Sequence, residues 1–263
     1  MNSPLKLIES FGNRFVKEYI EPLKNKRSEF RSDWFEALDF FLARAYYQGR
    51  KDELSERYCK AAKKTLLSYF GEDSSTRLKN YNNAWNDKII PHDPEWKIWK
   101  KDNNGLLTEL ERVKAGKSRD IKMVIDILRF VHSCPSNNIV LYSIEEIEHG
   151  RIKKLYSEID EIWQVGPKVT SLYLRDLIFC YDLKLTPEDY PTIQPIDTWV
   201  NQVASGIGIC SDKDPKDTII AKFIEACARE KVDPKKVNAG AWYLGANAFD
   251  ILLDNILNGK DII

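Results

Sequence analysis

Trp163-Gln164-Val165-Gly166-Pro167-Lys168-Val169-Thr170, followed at 196–199 by Ile-Asp-Thr-Trp, is the stretch on which the reading of this chain turns. Gly166 tolerates the positive φ that a tight turn between two helices demands. Pro167 suits a first helical position, where its missing N–H is one that no helical carbonyl would have bonded, and Lys168 then falls in the first turn. A helix start of this kind offers backbone N–H groups to a phosphate. Further on, Pro195 biases Gln194 toward extended backbone, and Asp197 stands where an N-cap would open a helix from Thr198 to Ala204. The expected outcome is a primary amine and a carboxylate at two helix starts that flank one cleft.

Working outward, helical periodicity dominates. Trp34, Ala37, Leu38, Phe41, Leu42 and Ala45 recur at three- and four-residue steps, and Leu54, Tyr58, Ala61, Ala62, Leu66 and Tyr69 repeat the pattern over a helix from Asp52 to Phe70 that Gly71 ends. Residues 72–102 are polar and mixed, with Trp85, Pro91, Trp96 and Trp99 pointing to a folded connection. Helices are expected again over Leu106 to Lys114 and Arg119 to His132. Ser143-Ile144-Glu145-Glu146 has the spacing of a capping box and predicts a helix start at 144. After the turn, Val169, Leu172, Tyr173, Leu177 and Cys180 trace one apolar face. Thr186-Pro187, Asp214-Pro215 and Asp233-Pro234 each set a capping oxygen before a proline, and the last long helix is read through Trp242, Gly245, Ala246, Phe249, Leu253 and Ile256. Gly245 is expected to admit another backbone.

The 263 residues carry 40 basic and 40 acidic side chains, so the chain as a whole lacks the electrostatic footprint of a non-specific nucleic-acid binder, and any such site must be a local patch. Five cysteines, odd in number and without a CxxC or Cys/His ligand spacing, fit a reduced, intracellular setting with no bound metal. No apolar run has the length of a membrane span, and residues 1–20 lack a signal-peptide core, so a soluble protein without membrane association is expected. Arg151, Lys153 and Lys154 precede the turn, but Glu158, Asp160 and Glu161 follow closely and make a solvated, mixed-charge face the reading of that helix.

The turn, the lysine and the later Pro-Ile-Asp resemble the lyase-type members of the helix-hairpin-helix DNA glycosylase superfamily. The usual hairpin there reads Leu-Pro-Gly-Val-Gly-x-Lys. Here Ile162-Trp163-Gln164-Val165-Gly166-Pro167-Lys168 takes its place, with the second glycine and the lysine matched and Gln164 at the position of the first glycine. Val232-Asp233-Pro234 and Ala241-Trp242-Tyr243-Leu244-Gly245 are similar to the C-terminal part of archaeal 8-oxoguanine glycosylases, and the resemblance covers roughly residues 155–257. It implies an all-α, two-lobed architecture with residues 155–205 as hairpin and catalytic aspartate segment. It further implies base-excision repair of double-stranded DNA, with removal of an oxidised purine such as 8-oxoguanine followed by strand nicking, by a monomer without cofactor.

In that reading Gln164, Val165 and Gly166 meet the DNA backbone and Lys168 and Asp197 are catalytic. Desolvation and the positive end of its own helix disfavour the ammonium form of Lys168, and the N-terminus of the second helix favours an ionised Asp197. Trp163, Trp199, Trp242 and Phe249 are candidates for lining a base pocket, although for Trp199 and Trp242 the apolar faces on which they lie favour core packing. Two other readings stay open on the residues alone: a helix-hairpin-helix protein that binds DNA without catalysis, and a helical interaction protein with no nucleic-acid partner.

Overall fold

A computed structural model of the chain describes residues 3–86, 105–248 and 251, and every regular element among them is helical. In chain order these are α1 (Pro4–Phe15), a π-helical turn (Val16–Ile20), α2 (Glu21–Lys24), α3 (Arg27–Ser32), α4 (Trp34–Ala45), α5 (Asp52–Phe70), α6 (Ser74–Asn86) and α7 (Gly105–Arg112). There follow α8 (Ser118–Ser133), α9 (Ile139–Glu148), α10 (Ile152–Asp160), α11 (Gly166–Tyr181), α12 (Thr198–Gly206), α13 (Lys216–Glu230) and α14 (Pro234–Ala246), with 3-10 turns at Pro135–Asn137 and Pro187–Ile193. The all-α class expected from periodicity is the class observed. Pro91, Trp96, Trp99, Phe249, Leu253 and Ile256 lie outside the described residues. No helix among the described residues is long and apolar enough to cross a membrane.

The chain divides into two compact units, Lys26–Tyr173 and Met1–Asn25 with Leu174–Ile263, so that α11 and the segment 155–205 contain residues of both. In the Lys26–Tyr173 unit, α4 is the central element. Asp33 caps it by accepting the Phe35 and Glu36 N–H groups at 2.7 and 3.4 Å, and its Phe35, Leu38, Phe41 and Leu42 are buried. Tyr173 sets its ring edge-on to Phe41 at 4.7 Å while its hydroxyl reaches the Ile139 carbonyl and Ser143 Oγ, at 3.3 and 3.0 Å. That contact explains why the capping-box expectation at 143–146 fails. Asn138 is the actual cap of α9, accepting the Leu141 N–H at 2.9 Å, whereas Ser143 is fully buried mid-helix. Glu146 turns to Arg151 and Lys154 instead of back toward a helix start. The α5 expectation holds to the residue: Gly71 adopts φ 109 and donates to the Leu67 carbonyl at 2.8 Å.

In the other unit α1 crosses α14 with almost no side-chain spacer. A Cβ at Gly240 would lie 1.9 Å from the Ile8 carbonyl oxygen, and one at Gly12 would lie 2.1 Å from that of Lys236. Leu5, Ile8, Ile196, Val200, Ala204, Ile219, Phe223, Cys227, Val237 and Ala241 form the core around this crossing. The backbone approach expected at Gly245 is therefore made by Gly12 and Gly240, while Gly245 accommodates the Trp199 side chain, whose Cβ a Gly245 Cβ would meet at 2.6 Å. Asp233 caps α14 as expected, accepting the Lys235 N–H at 3.1 Å. Asp214 does not cap α13. Pro215 holds that position, and Asp214 accepts the Ser211 N–H and pairs with Lys222, at 3.0 and 2.7 Å. Thr186 opens a 3-10 turn in which its hydroxyl donates to Asp189 at 2.8 Å.

Candidate functional site

The hairpin lies wholly in the Lys26–Tyr173 unit. After α10 the Ile162 N–H donates to the Ile159 carbonyl and the Val165 N–H to that of Ile162, at 3.1 and 2.9 Å, closing successive tight turns. Gly166 adopts φ 54 as expected, so right-handed helical geometry begins after it, at Pro167. Gln164 is also left-handed, at φ 65. The position held by glycine in the resembled hairpin thus keeps a glycine-like backbone although it carries a side chain. Between the two left-handed residues Val165 is 1% exposed, so the apolar side chain anchors the turn while Trp163 and Gln164 face outward.

Three side chains distant in sequence hold this turn. Gln48 Nε2 donates to the Gln164 carbonyl at 2.7 Å, the Lys122 ammonium sits 3.6 Å from the centre of the Trp163 ring, and the Asp126 carboxylate lies near enough to the Trp163 backbone N–H to be drawn by it. Burial pushes the Asp126 carboxyl above its usual range, against the pull of Arg129, Lys122 and the Trp163 N–H. Local sequence reading missed all three. For two of them the one signal is spacing: Lys122 and Asp126, with Arg129, fall on a single stripe of α8; for Gln48 there is none.

Lys168 follows on the first turn of α11 and is half-buried. Among the described residues its ammonium has no ion pair and no side-chain hydrogen bond. The basic residues before the hairpin behave differently. Arg151 grips Glu146 through two N–H groups at 2.9 and 2.7 Å, Lys154 joins at 3.3 Å, and these cations hold the Glu146 carboxyl down at about 2. They are engaged within a mixed-charge face, as their spacing to acidic residues implied.

Asp197 belongs to the other unit. It caps α12 as expected, with Oδ1 accepting the Val200 N–H at 3.0 Å and its carbonyl accepting from Asn201 at 3.0 Å. Among the described residues its second carboxylate oxygen has no partner, and the residue is half-buried. The segment leading to it is fixed from below. Asn238 Nδ2 donates to the Pro195 carbonyl at 3.3 Å, and Asn238 Oδ1 accepts from Arg175 at 3.0 Å. Arg175, 2% exposed, also binds Asp176 Oδ1 and lies 4.8 Å from the Phe15 ring. Trp199 is 43% exposed, which corrects the core-packing expectation for that residue: Gly245 receives its Cβ side and leaves much of the indole in solvent. Trp242 does pack, edge-on to Phe15 at 5.8 Å.

A cavity of about 320 Å³ in the same unit is lined by Ile178, Leu183, Lys184, Leu185, Tyr190 and Lys235, and neither Lys168 nor Asp197 is among its walls. Comparison with family models, with curated proteins and with solved structures returns no match for this chain.

Proposed function

We propose that the chain is a DNA glycosylase with lyase activity, acting on an oxidised purine in double-stranded DNA, with Lys168 as nucleophile and Asp197 as the carboxylate that steadies the cationic sugar. The observation that carries this reading is Lys168 itself: a half-buried amine, without a counter-ion among the described residues, on the first turn after a hairpin with two left-handed residues. Long cations that serve only the surface are solvated or paired, as Arg151 and Lys154 are here. Asp197 supports the same reading, because one of its oxygens caps α12 and the other is left for chemistry.

The target base must first leave the duplex stack. As the bond from the base nitrogen to C1′ breaks, positive charge grows on the sugar and the Asp197 carboxylate stabilises it. The neutral Lys168 Nζ attacks C1′, the base departs with the bonding pair and takes up a proton, and ring opening with loss of the amine proton gives a Schiff base. Removal of a C2′ proton then expels the 3′ phosphate, nicking the strand. The hairpin would meet the DNA backbone at Gln164, Val165 and Gly166, with the Gln164 and Gly166 N–H groups turned to its phosphates while that of Val165 closes the turn on Ile162.

The test is borohydride trapping on an 8-oxoguanine duplex. A covalent protein–DNA adduct is expected, lost in Lys168→Ala, and base release is expected to fall in Asp197→Asn with DNA binding retained. An undiminished adduct in Lys168→Ala refutes the assignment. Salt-dependent DNA binding with no base release from any lesion would instead select the non-catalytic reading.

A further inference from the structure

Trp163 is the large apolar side chain that the hairpin leaves in solvent: it is 43% exposed, while Ile162 and Val165 of the same turn are buried. A side chain exposed on a turn is ordinarily free to swing. This one is pinned from one side. Lys122, itself 7% exposed, sets its ammonium over the ring at 3.6 Å from the centre, and Gln48 fixes the next peptide through the Gln164 carbonyl. Among the described residues no other ring and no second cation lies against the indole. One face thus rests on a buried cation, and the rest of the exposed surface meets water. A rigid aromatic surface of this kind loses little conformational freedom when a partner covers it, which is why such side chains dominate binding surfaces.

We infer that the Trp163 indole packs flat against a deoxyribose of the DNA strand whose phosphates the hairpin meets; this rests on the DNA-binding role given to the hairpin above. Trp163 directly precedes Gln164, so a strand held at the Gln164 and Gly166 N–H groups passes within about one Cα–Cα step, ~3.8 Å, of the indole's attachment point. Trp163, Lys122, Gln48 and the hairpin all belong to the Lys26–Tyr173 unit. The bases of a closed duplex are stacked and show the indole no face, whereas the sugars line the outside of the strand beside the phosphates. A cation under one face draws the ring's electron density toward itself, which disfavours a second cation on the other face and suits a neutral surface flanked by anions. The charges nearby point the same way. Lys168 is a cation without an ion pair among the described residues, but Asp160 and Glu161 stand just before Trp163 and the whole chain is neutral. Charge alone leaves the hairpin a weak holder of a polyanion, and an apolar contact adds affinity that salt does not screen. Trp163 thereby serves the strand rather than the base pocket for which its sequence position made it a candidate.

The experiment measures, by fluorescence anisotropy, binding of the full-length protein, Trp163→Ala and Trp163→Phe to a labelled duplex with a reduced abasic site that cannot react, from about 50 to 200 mM salt. Trp163→Ala is expected to bind about 10-fold more weakly at every salt concentration, as the loss of a partly buried indole implies. The slope of log affinity against log salt is expected to stay at the wild-type value, because a sugar contact releases no counter-ion. Trp163→Phe keeps a flat ring for the sugar and is expected to stay within about 3-fold of wild type. Wild-type affinity in Trp163→Ala overturns the inference. So does a slope shallower by about 1 or more, which means that phosphate contacts went with a disturbed hairpin, or an equal loss in both variants, which means that the ring itself is not the contact. If the wild-type protein binds the duplex but releases no base from any lesion, the glycosylase reading falls while a 10-fold loss at constant slope still supports the contact. If it binds no duplex even at low salt, both fall, and the exposed indole is left for a protein partner.

Discussion

Gly240→Ala tests the closest contact in the fold. A Cβ there would stand 1.9 Å from the Ile8 carbonyl oxygen, 2.6 Å from the Gly12 nitrogen and 3.0 Å from the Ile8 carbonyl carbon. Carbon–oxygen contacts settle near about 3.3 Å, so α1 must retreat by roughly 1.4 Å from α14. All the nearest atoms are backbone, which leaves no side chain to rotate away. Glycine to alanine inside a helix would by itself stabilise by about 1 kcal/mol. Against that stands overpacking, which costs about 1–3 kcal/mol in ordinary cores and more where helices must separate. With a contact this short the upper end applies, and the net effect is a loss of about 2 kcal/mol or more. For a chain of this length that lowers the melting temperature by roughly 4–8 °C. Circular dichroism melts against Gly206→Ala supply the contrast, because nothing lies within 4 Å of a Cβ at Gly206, the last residue of α12. An unchanged or raised melting temperature in Gly240→Ala would refute the close crossing.

The remaining predictions concern the hairpin, the cap and the acid limb. Gln164→Gly should stabilise the protein by up to about 1 kcal/mol, since a side chain at φ 65 costs roughly 1–2 kcal/mol and the added entropy loss of glycine offsets part of it, whereas Gln164→Val should destabilise; urea unfolding giving the same sign for both would contradict the left-handed assignment. Asp197→Ala should cost about 1 kcal/mol of stability through the lost cap, and Asp197→Asn, which keeps an oxygen for the Val200 N–H, should melt close to wild type while losing base release; a stable alanine variant would show the cap to be idle. Glu146 is held at about 2 in the folded chain, below its unfolded value near 4.3, so it contributes stability above that unfolded value that is lost as pH falls toward 2. Urea midpoints measured from pH 6 down to pH 2 should therefore fall less steeply for Glu146→Gln than for wild type, and parallel curves would exclude the Glu146–Arg151 coupling.

What was legible in the sequence was legible because the chemistry is local. Gly71 ends α5, Gly166 turns left-handed and Asp197 caps α12, each through a backbone geometry or a bond to a residue within four positions. The failures share one cause, competition from a partner that local spacing does not show. Ser143 has capping spacing, but the Tyr173 hydroxyl claims it 30 residues away, while Asn138 binds both the Leu141 N–H of α9 and the Phe30 carbonyl of α3. Asp214 precedes a proline as Asp233 does, yet its carboxylate is taken by Ser211 and Lys222. Gly245 and Gly240 look alike in sequence and differ only in what crosses them, an indole in one case and a backbone in the other. Left-handed backbone at Gln164 could not be read from a residue type that seldom adopts it.

The two halves of the proposed chemistry are each held by a polar network, and the networks obey the same rule. On the hairpin, Gln48, Lys122 and Asp126 approach from helices far away in sequence and fix the backbone at Trp163 and Gln164, just before the lysine. Before the aspartate, Arg175 engages Asp176 and Asn238, and Asn238 in turn holds the Pro195 carbonyl. A buried charge is tolerable only when its hydrogen bonds are made, so evolution of either network in pieces would be destabilising, and complete satisfaction is what such rigid supports require.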